Sequence, residues 1–496
     1  MKNLISLILI GFATIQVEAQ QIPDALRYAQ DDITGSARYR AMGGAFGALG
    51  GDLSALNVNP AGSAIFMNNF ASISLSNYNQ QNKSNYFGTS SRAEDTSFDL
   101  NQFGGVWVFE NYNLDSKWSK LSLAMNYDRT NNLNNSVYSQ GYNPTNSVAN
   151  YFTSYANGIP SSVINGNPYD LLTYQEQQAF LGIKGELIEP SVGNQYVSAV
   201  NPNGNYYQEN SVRTMGYNGK IAFNLATEYD KRFYFGLNLN AHFTDYRSTT
   251  RFYEDYDDSP GANSSTGVQA SQFTNELYVY GSGFSFQLGA IAKITNQLRI
   301  GLAYESPTWY NLNEELQQIL AVNCPDCNVR QDDFFAGPNT VIFYPTYSLQ
   351  TPSKYTGSLA YVFGTSGLIS VDYSLRDYSN MNFRPSQEFV QANNTINSAL
   401  DVSNEIRIGA EYRIKKWSLR GGYRFEESPF KGTKTVGNLN SFSTGFGYNF
   451  GSIKLDMAYT FAQRENRQGF FTQGLTDPAT IQNIQNNISL TVGFEL

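Results

Sequence analysis

Several runs along the chain alternate apolar and polar residues with a period of two. Ile406, Ile408, Ala410, Tyr412 and Ile414 are separated by Arg407, Gly409, Glu411 and Arg413. Ile453 to Phe461 and Ile488 to Leu496 follow the same rule, and so do stretches around 121–128, 233–244 and 369–376. Period two places one side-chain set on each face of a β-strand. The connections alternate as well. Tight breaks fall near 114–119, 230–232, 295–297, 364–367, 415–416 and 451–452. Long polar stretches cover 79–97, 129–211, 247–272, 306–350, 381–402, 428–438 and 463–486. Six short turns and seven long loops make about fourteen strands, the even count and one-sided loop lengths of a transmembrane antiparallel β-barrel. The predicted fold is therefore all-β: a barrel over residues 70–496, its longest extracellular loop at 129–211.

The chain before the first strand reads differently. Lys2 precedes an apolar run from Leu4 to Ile10, and Val17 and Ala19 occupy small-residue cleavage positions. This predicts a secretory signal peptide over 1–19. Residues 20–69 contain Gly43-Gly44, Asp52 as a helix cap before Leu53, and Asn59-Pro60-Ala61-Gly62. Placed between the mature start and the barrel, they are expected to fold into the lumen as a plug.

Composition narrows the function classes. The chain has 496 residues, 15% charged and 15% aromatic, with 35 Tyr and 33 Phe, and a net charge of −9. Mean hydropathy is −0.39, as expected where lipid-facing apolar residues alternate with polar lumen-facing ones. A soluble enzyme of this length would carry more charge. The acidic balance argues against a nucleic-acid partner. The expected environment is the outer membrane of a Gram-negative bacterium, with the lipid bilayer as first partner.

Candidate chemistry is sparse. By strand parity, Asp372, Arg407, Glu411, Arg413, Arg420, Arg424, Lys454 and Asp456 face inward, since a cation at the bilayer midplane would cost about 2–4 kcal/mol. They are candidates for guiding a ligand carboxylate or for packing against the plug. Cys324 and Cys327 are expected to form a loop disulfide; a redox pair or a zinc site is the weaker reading. Glu254, Asp255, Asp257 and Asp258 lack the spacing of a calcium loop, so a solvated acidic loop is expected there and no metal site. His242 is the single histidine. It points into the lumen by parity; a lipolytic site would need a serine beside it. Gly43–Gly51 has no βαβ context for a nucleotide. No cofactor and no catalysis are expected.

Several segments resemble the FadL family of outer-membrane transporters of long-chain fatty acids and other hydrophobic compounds. Asn59, Pro60, Ala61 and Gly62 are similar to the family's plug motif. Thr351-Pro352-Ser353 leading into Gly357–Phe363, Val371-Asp372-Tyr373, Arg407–Tyr412 and Leu419–Tyr423 with Glu427-Ser428-Pro429 resemble its C-terminal strands. The resemblance implies passive uptake of a hydrophobic small molecule, docked on loop residues around Tyr169–Leu181 and passing the plug. It also implies sideways exit through a kinked third strand. The third strand here, Leu121–Asp128, carries no Gly or Pro, and Gly104-Gly105 on the second strand is the nearest candidate for a kink. The alternative reading is a non-transporting subunit of a secretion or protein-assembly complex, with other outer-membrane proteins as partners.

Overall fold

The computed structural model describes residues 22–113, 115–257, 267–325, 340–432 and 435–496. The expected signal peptide lies outside them. Fourteen antiparallel strands close into a barrel. They are β1 (Phe70–Tyr86), β2 (Thr89–Glu110), β3 (Trp118–Asn132), β4 (Tyr206–Tyr229), β5 (Phe233–Asp255) and β6 (Ala270–Lys293), followed by β7 (Leu298–Glu305 and Trp309–Asn323) and β8 (Val341–Gln350 and Lys354–Val362), then β9 (Gly367–Asp377), β10 (Val402–Ile414), β11 (Trp417–Glu426), β12 (Leu439–Asn449), β13 (Ile453–Gly469) and β14 (Pro478–Glu495). β14 pairs back onto β1 from Thr480↔Asn85 to Glu495↔Phe70. Strands β7 and β8 are each interrupted by a proline, Pro307 and Pro352, which have no N–H to give to a ladder. The breaks lie side by side and are mended locally: Thr308 N donates to Thr351 Oγ1 at 2.9 Å, and Thr351 N to Thr308 O at 3.0 Å.

The outward rows, such as Ile406, Ile408 and Tyr412 or Ile488, Leu490 and Phe494, are exposed large apolar residues. They form the lipid-facing band. Its short-turn end carries ring pairs such as Trp118–Tyr229 and Trp417–Tyr448, the aromatic girdle of a membrane interface. Beyond the band, the strands run further than the sequence suggested. Segments 79–97, 247–272 and 463–486, expected as polar loops, are largely ladder: β1 and β2 close at a tight turn with Phe87 and Gly88 at positive φ, and β5 and β6 stay paired out to Asp255↔Ala270. Outside the bilayer neither face must be apolar, so the hydropathy alternation fades while the backbone pairing continues. Segment 381–402 holds a helix, Val390–Ala399.

Two further corrections concern the extracellular side. Tyr169–Leu181 was expected to display apolar residues to a ligand. The helices α3 (Val148–Ala156) and α4 (Tyr174–Lys184) and the turn between them instead bury most of those residues: Tyr169, Ala179 and Leu181 pack with Phe152, Phe252, Phe273 and Leu320, while Leu171 stays exposed. The result is an apolar cap over the barrel mouth, because the inward faces of β5, β6 and β7 supply matching aromatic and aliphatic positions. Glu254 is likewise buried, not solvated. Its carboxylate accepts the Ser147 hydroxyl, the Val148 N–H and the Gln208 amide, and so holds the first turn of α3 to the wall. Asp258 lies outside the described residues, and among those residues no cluster suited to a metal occurs.

Candidate functional site: the filled lumen

Residues 22–69 lie inside the barrel as short pieces. These are α1 (Ile22–Ala29), α2 (Ala37–Ala41), and two 3₁₀ turns, Leu53–Asn57 and Pro60–Ile65. Each later piece starts on a side-chain cap: Ser36 accepts Tyr39 N, Asp52 accepts Ser54 N, and Asn59 accepts Ala61 N. Such short pieces leave many carbonyls without intrahelical partners, and buried carbonyls need donors. The wall supplies them. Asn101 donates to Gly35 O at 2.6 Å, Asn224 to Pro60 O at 2.9 Å and Asn238 to Leu56 O at 2.9 Å. Arg299 reaches Leu49 O and Lys120 reaches Phe66 O. The abundance of asparagine at inward positions thus has a specific use.

Asn59 of the plug motif works in the opposite direction. Its amide nitrogen donates to Gly47 O at 2.7 Å and to the wall carbonyl of Ala290 at 3.1 Å. The wall is bare where the plug presses on it. At Gly289 a Cβ would stand well inside contact distance of Asn59 Oδ1 and 2.7 Å from Pro60 Cδ. At Gly422 it would collide with Met42 and Gly43.

The inward charges form two clusters on β8–β13. In the lower one, Glu411 accepts Arg38 Nε of the plug at 3.0 Å and Arg420 Nε at 2.6 Å, and also pairs with Arg413. Arg420 continues to Asp456 at 2.6 Å. Lys454 reaches Glu495 at 3.3 Å on the rim. In the upper one, Glu405 gathers Arg407, Arg424 and Lys354 at 2.7, 2.6 and 3.1 Å. Arg424 also pairs with Glu426 and donates to Asp31 O of the plug. Asp372 accepts Gly47 N at 3.0 Å, and Arg376 pairs with Asp31 at 2.9 Å. Glu405, Glu426, Lys354 and Arg376 were not singled out from the sequence. Their inward parity was readable, since Glu405 stands two residues before Arg407, but their pairing across strands was not. Cys324 is disulfide-bonded; Cys327 lies outside the described residues.

His242 does have a serine beside it. Its Nε2 is 2.8 Å from Ser285 Oγ, and Tyr310 Oη lies 3.5 Å from Nδ1. Both His242 and Ser285 are buried in the wall, and Asn240 also donates to Ser285 Oγ, which suits a hydrogen-bonded wall cluster.

Burial pushes the Asp52 carboxyl of the plug above its ordinary range, against Arg38 and the Ser36 and Ser54 hydrogen bonds. Asp32 is raised by burial too. A raised carboxyl binds its proton more tightly when docked than when released. Its contribution to docking is therefore complete below the free carboxyl's pKa and is lost as pH rises through the docked value. Plug release, read as single-channel conductance, is expected to increase upward from about pH 4, and less steeply in Asp52→Asn.

The apolar part of the lumen is occupied by the chain itself. Leu26 and Tyr28 of α1 pack among Tyr310, Leu312, Tyr347, Leu349 and Phe383. The wall between β2 and β3 is laddered without a bulge from Gln102↔Asp128 to Glu110↔Lys120, across Gly104 and Gly105. Above that, β2 has no second ladder among the described residues. Its edge meets β3 and the inner strand Asn135–Asn143 through side chains only: Asp99 to Arg129, Ser97 to Asn132 at 2.8 Å, and Asp95 to Ser136 at 3.4 Å.

A sequence model of the outer-membrane protein transport family (OMPP1/FadL/TodX) matches residues 192–485. The chain belongs to this family. Its members form outer-membrane β-barrel channels for hydrophobic compounds, and this barrel shares their localisation in the Gram-negative outer membrane. Solved structures agree in fold. A Pseudomonas aeruginosa FadL homologue superposes with a TM-score of 0.55 at 13% identity, over 94% of this chain and 99% of that one. The Pseudomonas putida toluene transporter TodX gives 0.53 at 14%, again over 94% and 99%. The Ralstonia pickettii toluene transporter TbuX gives 0.50 at 15%, with the same coverage. No curated protein sequence matches the chain.

Proposed function

We propose that this FadL-family barrel passes a hydrophobic small molecule inward by displacement of α1, without catalysis. The observation that carries the reading is the aromatic and aliphatic pocket that the wall forms around Leu26 and Tyr28. Apolar cargo of the size of toluene, or the chain of a fatty acid, would replace those side chains at similar burial, worth roughly 25 cal/mol per Å². The inward arginines of the upper cluster would then meet the carboxylate if the cargo has one. The signal peptide over 1–19, the plug boundaries at 20–69 and the loop disulfide belong to the same proposal.

Leu26→Ser tests it. Truncating a buried leucine costs about 2–4 kcal/mol, so the α1-released population should rise at least tenfold. Uptake of radiolabelled oleate or toluene by cells producing the variant is expected to increase several-fold over wild type. Unchanged uptake with normal barrel assembly would remove α1 from the pathway.

The assembly-subunit reading rests on a different feature, the unladdered edge of β2 from Thr89 to Asn101, which has β1 as its only ladder neighbour among the described residues. Stoichiometric co-purification of another outer-membrane protein, lost when Pro is placed along that edge, would favour it.

A further inference from the structure

Between the plug and the barrel wall lies a second chamber of about 330 Å³, within the range of small-molecule sites, about 300–1,000 Å³. Arg27, Leu133 and Tyr246 form the boundary it shares with the apolar pocket of α1. Ten of its 22 lining residues are Asn or Gln, a composition that a hydrocarbon would not need. Gln80 and Asn82 come from β1, Asn466 from β13, Asn483 and Gln485 from β14, and Asn131 from the end of β3. Several are already linked: Asn483 Nδ2 donates to Asn82 Oδ1 at 2.8 Å, and Asn82 Nδ2 to Ser136 O at 2.7 Å. The linkage fixes their orientations and leaves other atoms unused. Gln30 Nε2, Arg464 Nε and Asn466 Oδ1 are buried with no hydrogen-bond partner, and all three residues line the chamber.

Its charge chemistry excludes an ion as the natural occupant. Three cations and three anions line it, and most are engaged with one another or with neighbours. Arg27 pairs with Asp24 at 2.8 Å, Asp31 with Arg376 at 2.9 Å, Arg464 with Glu426 at 3.0 Å, and Arg424 with Glu405 at 2.6 Å. Asp32 takes a backbone hydrogen bond from Asn132. A charged ligand would enter without a free counter-charge. Amides both donate and accept, and a hydroxyl group does the same. Buried donors and acceptors left unmatched also discriminate strongly against a ligand that lacks hydroxyls.

We propose that this chamber binds a neutral polyhydroxylated group: a free sugar, or the sugar headgroup of an amphiphile. This goes beyond the uptake of hydrophobic cargo and does not depend on it. The test refolds the full-length chain into nanodiscs with millimolar maltose present, so that entry past the cap is not required. Saturation-transfer NMR then reports contact. Maltose signals that saturate with concentration are expected. In Asn466→Leu and in Asn483→Leu, two separate positions, the affinity should fall at least tenfold while the barrel keeps its heat-modifiable folded form. n-Dodecyl-β-maltoside competing more tightly than maltose would assign the headgroup source; equal or weaker competition would assign the free sugar. Absent saturation, equal binding in both folded variants, or gluconate binding as tightly as maltose would overturn the proposal. The Leu26→Ser uptake assay is independent. Normal hydrophobic uptake with no maltose contact would sink the chamber assignment alone.

Discussion

Replacing Glu405 with alanine is expected to destabilise the barrel by about 3–5 kcal/mol, the cost of stranding buried charges by removing their partner. One carboxylate joins three strands here: Lys354 of β8, Arg407 of its own β10, and Arg424 of β11. All four side chains are largely hidden from solvent, at 14% exposure or less. Arg424 retains Glu426 after the change, but Arg407 and Lys354 lose their only ion-pair partner among the described residues. The midpoint of urea unfolding, followed by conversion of the heat-modifiable band, should fall clearly below wild type. Glu405→Gln keeps the shape and part of the hydrogen bonding and should lie between the two. If the alanine and wild-type midpoints coincide, these pairs do not hold the wall.

Gly289→Leu should act on the plug instead of the barrel. Any side chain at this inward position meets Asn59 and Pro60, and the plug is the softer of the two bodies. Overpacking costs about 1–3 kcal/mol. The displaced Asn59 amide would also give up its bonds to Gly47 O and Ala290 O, each worth about 1 kcal/mol. Together these bias the plug strongly toward release. Planar-bilayer recordings should show frequent openings where wild type is mostly closed, and residues 22–69 should become accessible to protease. Gly357→Leu is the control, because nothing stands within 4 Å of a Cβ there. Equal conductance in the two variants would mean the Asn59 seat does not retain the plug.

How far the sequence revealed this arrangement depended on what each residue faces. Strands β10, β11, β13 and β14 were legible because lipid requires apolar residues on one face and the filled lumen takes polar ones on the other. The outer halves of β5, β6 and β13 were not, since both their faces are wet and nothing enforces alternation. The breaks at Pro307 and Pro352 hid the outer halves of β7 and β8 inside one expected loop. Asp372, Arg407, Glu411 and Arg420 were placed inward by parity, and Asn59 by its motif. Their partners Arg38, Tyr39 and Gly47 sit on a plug with almost no periodicity, so only the folded chain shows which charge meets which backbone. The occupation of the apolar pocket by α1 left no mark in the sequence, because Leu26 and Tyr28 read as any amphipathic turn.

The plug precedes every strand of the barrel in the chain, yet its seat is among the last to be made. Gly43 is bonded to Ser443, 400 positions away, and Ala37 to Thr491, 454 positions away. Closing loops of that length precedes any reward from the contact, which slows folding. Residues 22–69 must therefore wait, unhoused, until β12 and β14 have been delivered to the membrane. During that interval the faces of the plug that will be buried stay open to other surfaces, and a shortened chain ending before β12 would carry an N-terminal segment with nowhere to dock.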